Sequence, residues 1–147
     1  DEPVTAYVCI DVPPEHFKDV SLAVAMWDRS IGQWRHLVPV DGAVGADECR
    51  YRIHETTDVG RAPADALAYA NEIGGNEISL IIGRYERDPT GIVLHELGHA
   101  LGAQHVPGTL MNAGWAPGRF VCPDVTTVAQ VAAWNKVDVG LFGWCNN

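Results

Sequence analysis

Residues 95–105 read HELGHALGAQH. His95 and His99 stand four apart, so on a helix they project from one face and can share one ion. Imidazole nitrogens at about 2.0–2.1 Å suit Zn²⁺. Gly102 follows three residues later. A glycine there can take positive φ and turn the chain out of the helix, which lets His105 return as a third ligand. A straight helix would carry His105 well past one turn. Asn is the next best residue at such a position, because it tolerates left-handed backbone. Three neutral histidines leave a fourth position open, and water held there acidifies towards a pKa of about 7. Glu96 sits beside the first histidine, where its carboxylate can take the water's proton and pass it to a leaving amine. The expected chemistry is amide hydrolysis at one zinc. A bare HExxH arises by chance, but its extension to Gly102 and His105 makes chance a poor explanation. A purely structural zinc would leave Glu96 without a task.

Such a site needs a helix with an anchored back, and the flanking sequence predicts one. Asp88-Pro89 reads as an N-cap with Pro at the first helical position. The helix should run from 89 to about 103, with Leu94, Leu97 and Leu101 turned to the core. Upstream, residues 6–12 (AYVCIDV) read as a strand ended by Pro13-Pro14. Phe17, Val20, Val24, Trp27 and Ile31 recur at steps of three and four, one face of an amphipathic helix closed by Gly32. Residues 34–40 form a candidate strand, 41–47 a Gly-rich acidic loop, and 49–56 (CRYRIHET) a strand with Tyr51 and Ile53 on one face. Residues 66–70 (ALAYA) are ambiguous between strand and helical turn. Gly74-Gly75 is a turn, and 78–82 (ISLII) a buried strand. Residues 106–123 are rich in Gly and Pro and read as irregular. Asp124 or Thr126 caps a last helix through Val128, Val131 and the stretch 134–139.

Composition narrows the function classes. With 147 residues the chain suits one domain, 1–147. Lys and Arg number 10 against 19 Asp and Glu, a formal net charge of -9, which argues against a nucleic-acid surface. No apolar run approaches the roughly 20 residues of a membrane span. Cys9, Cys49, Cys122 and Cys145 form no CxxC pair, so a cysteine zinc site is not expected. Their even count and long spacing fit two disulfides in an oxidising compartment. The expected setting is therefore secreted or extracellular, with any signal peptide or propeptide outside this sequence and Asp1 a processed or otherwise defined start. The expected partner is a protein or peptide substrate, with no nucleic acid and no membrane, and the expected state a monomer.

HExxHxxGxxH followed by a methionine turn resembles the metzincin signature. Here the extended motif runs from His95 to His105, and 108–112 (GTLMN) resembles the turn. The wording is closest to matrixins and to small bacterial matrixin-like and snapalysin-like proteases. The resemblance implies an α+β zincin-like (metzincin) fold. Its parts are a mixed twisted sheet, a backing helix, the active-site helix, and a small irregular C-terminal subdomain ending in a helix. The upper subdomain would cover about 1–105 and the lower about 106–147. Met111 would floor the ligands without binding metal. Residues 65–70 (DALAYA) resemble the edge strand that receives substrate, so that Leu67, Ala68 and Tyr69 pair with substrate backbone. The pocket wall after Met111 contains Trp115 and Phe120. Of the three possible cystine pairings, the resemblance favours Cys9–Cys49, because the first and third strands of a metzincin sheet are neighbours. It thereby leaves Cys122–Cys145 around the last helix.

Some family features are missing. No cysteine switch of the PRCGxPD kind precedes the motif. Ala113 stands where astacins and serralysins carry a tyrosine. His16, His36 and His54 are scattered, so one zinc is expected and calcium is left open. Two other functions compete. Bacterial RNA-processing metalloproteins share HxxxHxxxxxH but lack the glutamate and need a basic surface. A catalytically inactive metal-binding module of the same fold predicts a damaged motif, and none is visible.

Overall fold

In a computed structural model, the structure describes residues 2–42, 48–60, 62–114 and 122–145. Strand β1 (Val4–Asp11) leads into helix α1 (Pro14–Ile31), then β2 (Arg35–Asp41) and β3 (Cys49–Thr56). A short β4 (Ala68–Ala70) precedes β5 (Glu77–Ile81), α2 (Pro89–Leu101) and α3 (Val125–Asn135). The result is an α+β architecture with one mixed sheet in the order β2-β1-β3-β5-β4. β1, β2, β3 and β5 run parallel, and only β4 runs against its neighbour.

The patterns that predicted these elements also explain their packing. Pro14 opens α1 at a position where a missing N–H costs nothing. Val20, Ala23, Val24, Trp27 and Ile31 form its buried face, which lies on β1, β2 and α2. Trp27 also donates from Nε1 to the Leu94 carbonyl at 2.8 Å, fixing the rotation of α2 against α1. Pro39 is tolerated inside β2 because that strand is an edge. Tyr51 and Ile53 of β3 and Ile78 and Leu80 of β5 are buried, as parallel strands covered by helices require. Tyr85 donates its hydroxyl to the Glu55 carboxylate, tying the turn after β5 to the end of β3.

Several boundaries differ from expectation. α2 stops at Leu101, two residues early, because Gly102 leaves the helical region at once. Ile82 lies outside β5 and is half-exposed. Gly32 closes α1 as expected, with right-handed backbone. α3 ends at Asn135, where Lys136 takes the left-handed conformation and its N–H bonds back to the Ala132 and Ala133 carbonyls. The stretch beyond is not a continuation: Asp138 caps a separate 3₁₀ turn, Val139–Leu141. Of the two candidate caps, Asp124 is the one used, accepting from the Thr127 N–H at 3.2 Å.

Disulfides join Cys9 to Cys49 and Cys122 to Cys145, with Cα–Cα distances of 5.7 and 6.2 Å. The first closes a separation of 40 residues, worth about 4 kcal/mol in the chain-entropy account. We expect a Cys9→Ala/Cys49→Ala variant to lose about that much unfolding free energy in a denaturant titration. A loss below about 1 kcal/mol would mean that residual structure already constrains the unfolded chain there.

Candidate metal centre

α2 is built to present two histidines on a fixed axis. Asp88 accepts from the Gly91 N–H at 3.1 Å and Pro89 occupies the first turn. Residues 91–98 are all buried. At the other end Gly102 has φ 118° and ψ 3°, and its N–H bonds back to the Gly98 and His99 carbonyls. Only glycine reaches that backbone freely. Any Cβ would also run into the Trp134 ring, so asparagine, allowed by backbone alone, is excluded by packing.

The turn brings His105 back beside the helix. His99 Nε2 and His105 Nε2 lie 3.1 Å apart, and ligand atoms of His95, His99 and His105 all fall within 4.8 Å of one another. The outer nitrogens are committed elsewhere. His95 Nδ1 pairs with the Leu110 carbonyl at 2.8 Å, and His99 Nδ1 with the Ala103 carbonyl at 2.9 Å. Because a carbonyl only accepts, each Nδ1 carries the proton and each Nε2 keeps its lone pair for the centre. Burial pushes the His95 pKa down to about 4, with His99 and His105 lowering it further against the Leu110 bond. It lowers His99 as well, helped by His105. Two neutral imidazoles with oriented lone pairs, joined by a ring nitrogen of His105, are a donor set that fits zinc.

Glu96 follows His95 and is buried. Burial raises its pKa to about 8, opposed by the Ala70 backbone N–H, which donates to the carboxylate. Together these groups floor a cleft of about 650 Å³, bordered by β4 and reaching Ala113 and Gly114. β4 is the free edge of the sheet. The Leu67 carbonyl and the Asn71 N–H bond to β5. Backbone polarity alternates along a strand, so Tyr69 faces β5 too. That corrects the expectation for 67–69: the residues with outward backbone groups are Ala68 and Ala70. Trp115 and Phe120 lie outside the described residues.

Two features escaped sequence reasoning. Gly98 sits inside α2, where glycine costs roughly 1 kcal/mol. A Cβ there would stand 2.5 Å from Met111 Sδ and 3.5 Å from the Trp27 ring, so its absence lets the fully buried Met111 touch the helix backbone. A glycine in a helix interior was the available signal. Asp124, besides capping α3, accepts from the Leu110 N–H at 2.9 Å. It thereby holds the residue whose carbonyl orients His95, and no local pattern announces that.

No family model matches this chain, and no curated protein matches its sequence. Among solved structures it is similar to the crystal structure of archaemetzincin from Methanopyrus kandleri. The TM-score is 0.66 at 12% identity, over 90% of this chain and 96% of that one. The fold is archaemetzincin-like. The likeness is one of architecture.

We expect Gly98→Ala to destabilise by about 1–3 kcal/mol through overpacking, despite the better helix propensity of Ala. In the Met111→Ala background the same change should be neutral or stabilising, and a double-mutant cycle by denaturant unfolding reads the difference. Additive effects would show that Gly98 and Met111 do not compete for space. In metal-free protein Glu96 and His95 should tilt stability in opposite directions. The raised Glu96 pKa gives stability that is complete below about 4.5 and lost as pH rises through about 8. The lowered His95 pKa gives stability present above about 6.5 and lost as pH falls towards 4. The melting temperature of Glu96→Gln minus that of wild type should therefore climb between pH 4.5 and 8. A flat difference would show that Glu96 titrates normally.

Proposed function

We propose that this protein is a secreted zinc-dependent endopeptidase of the metzincin type, with His95, His99 and His105 holding one zinc ion and Glu96 as general base. The observation that carries the reading is the convergence of three imidazoles beside a buried carboxyl on the floor of an open-edged cleft. The archaemetzincin-like fold supports it, as do the two disulfides for an oxidising compartment. The wording HELGHALGAQH with the following LM leads us to place it nearest the matrixins and the small bacterial snapalysin-like proteases.

Bound by the three histidines, zinc would supply Lewis acidity towards a peptide carbonyl and towards water. The rest of the work falls to the chain. In the metal-free chain burial raises the Glu96 pKa to about 8; a bound zinc beside it would favour the charged carboxylate, the form in which it can take a proton as general base. The Ala70 N–H fixes the direction of that carboxylate. A substrate backbone can join the sheet at the outward groups of Ala68 and at the Ala70 carbonyl as an added strand. Met111 floors the histidines from the Gly98 side, and the chain after it, including Trp115, would wall the pocket for the residue beyond the scissile bond.

The test is proteolysis of casein and of a peptide library, with and without phenanthroline. We expect cleavage that the chelator abolishes, and one zinc per chain by elemental analysis. Glu96→Ala should keep the zinc and lose about 10²–10⁴-fold in turnover. Near-normal turnover in the zinc-loaded variant, or a protein that takes up no zinc, would sink the assignment.

A further inference from the structure

α3 contributes no residue to the cleft, yet it touches the backbone that aims each of the three histidines. At its N-terminus Asp124 accepts from the Leu110 N–H at 2.9 Å, and the Leu110 carbonyl receives His95 Nδ1. Further along, Gln130 and the main chain of Gln104 form a reciprocal pair. The Gln104 N–H donates to Gln130 Oε1 and Gln130 Nε2 donates to the Gln104 carbonyl, both at 3.1 Å. Asn135 Nδ2 donates to the Leu101 carbonyl at 2.8 Å. The Trp134 ring covers Gly102 and also Gly74, where a Cβ would come within 2.6 Å of its Nε1. Gly74 in turn donates its N–H to the His99 carbonyl at 2.8 Å.

These contacts concentrate on 101–104, the turn that returns His105 to the helix. The same turn supplies the Ala103 carbonyl that orients His99. The last carbonyls of a helix have no partner within it, and here partners come from Asn135 and Gly74. Trp134 is half-exposed at 50%. An indole over two glycines with so much surface in solvent adds less to the core than to the shape of the turn beneath it.

We propose that Gln130, Trp134 and Asn135 are positioning residues for the zinc site, and that α3 acts as a brace that sets metal affinity without supplying a ligand. This rests on reading His95, His99 and His105 as the zinc set. Partners that orient metal-bound histidines typically account for 10–100-fold in affinity. Loosening the turn should act in the same way, by letting His105 drift from the other two.

The experiment measures zinc affinity by competition with a chromophoric chelator, at a temperature where every metal-free variant is fully folded. Global destabilisation then does not enter the binding constant. The variants are Gln130→Met and Asn135→Leu, close in size but without the hydrogen bonds, and Trp134→Leu. Trp134→Phe keeps a flat ring over the glycines, and Ala133→Ser, on the exposed side of α3, is the control. We expect about a 10-fold weaker zinc complex for each of the first three and wild-type affinity for the last two. Cobalt loaded in place of zinc should report the cause. Its visible absorption should weaken in the first three variants, as a compact three-histidine environment gives way to a more hydrated one.

Gln130→Met is a change at a partly exposed side chain and decides the matter even if Asn135→Leu fails to fold. Unchanged zinc affinity and cobalt spectrum in Gln130→Met, in a wild type that binds zinc, would overturn the brace and leave the zinc site standing. A wild type that binds no zinc would overturn both, so the two failures are distinguishable.

Discussion

Two histidines four residues apart on a helix define a line, and a third ligand has to come from off that line. The chain can supply it only by ending the helix abruptly and reversing. Gly102 does this at φ 118°, directly after the turn that carries His99, and the rest of the site depends on that reversal being affordable. The turn leaves helix-end carbonyls that would each cost about 1–3 kcal/mol if buried without a partner. The His99 carbonyl takes the Gly74 N–H, the Gly98 carbonyl takes the Ala103 N–H, and the Leu101 carbonyl takes Asn135. So the loop after β4 and the helix α3 are recruited to the same few residues.

A second constraint acts from below. Met111 lies against α2 at Gly98, and Trp27 reaches α2 at the Leu94 carbonyl. The close approach of Met111 is possible only where a helix residue has no side chain. Gly98 weakens α2 locally, but the helix is buried along 91–98, and its stability comes from packing more than from propensity. A sequence optimised for helix formation alone would place alanine there and displace the sulfur.

These constraints also explain what could be read from the sequence. The stripe from Phe17 to Ile31, the alternation in 49–56 and the cap Asp88-Pro89 are local patterns whose periods survive folding, and the elements they predict are present. The eleven-residue motif was legible for the same reason, since its spacing is set by one helix and one turn. Boundaries failed where a single backbone conformation decides the matter. Nothing in the run from Trp134 to Val139 says that Lys136 takes the left-handed form. Trp134 and Asn135 read only as part of a last helix and Gln130 carries no expectation, because Gln130 and Asn135 bond the main chain of Gln104 and Leu101, Trp134 packs on two glycines, and a distant backbone has no sequence signature. The 12% identity to archaemetzincin at a TM-score of 0.66 makes the same point from the other side: architecture persists where few side chains are shared.

The edge strand shows how tightly the proposed chemistry is tied to this architecture. β4 has three residues, and alternation gives it two with outward-facing backbone, Ala68 and Ala70. One of their four polar groups, the Ala70 N–H, is already used on Glu96. The strand that would receive substrate therefore also holds the base, through a hydrogen bond between them. A displacement of β4 changes the direction and the proton affinity of the Glu96 carboxylate together, because that bond favours the charged form while burial opposes it. On the proposed reading, substrate that pairs with Ala68 and the Ala70 carbonyl stiffens the strand from its open side. Binding energy gained away from the reacting carbonyl would then go into holding the base in place.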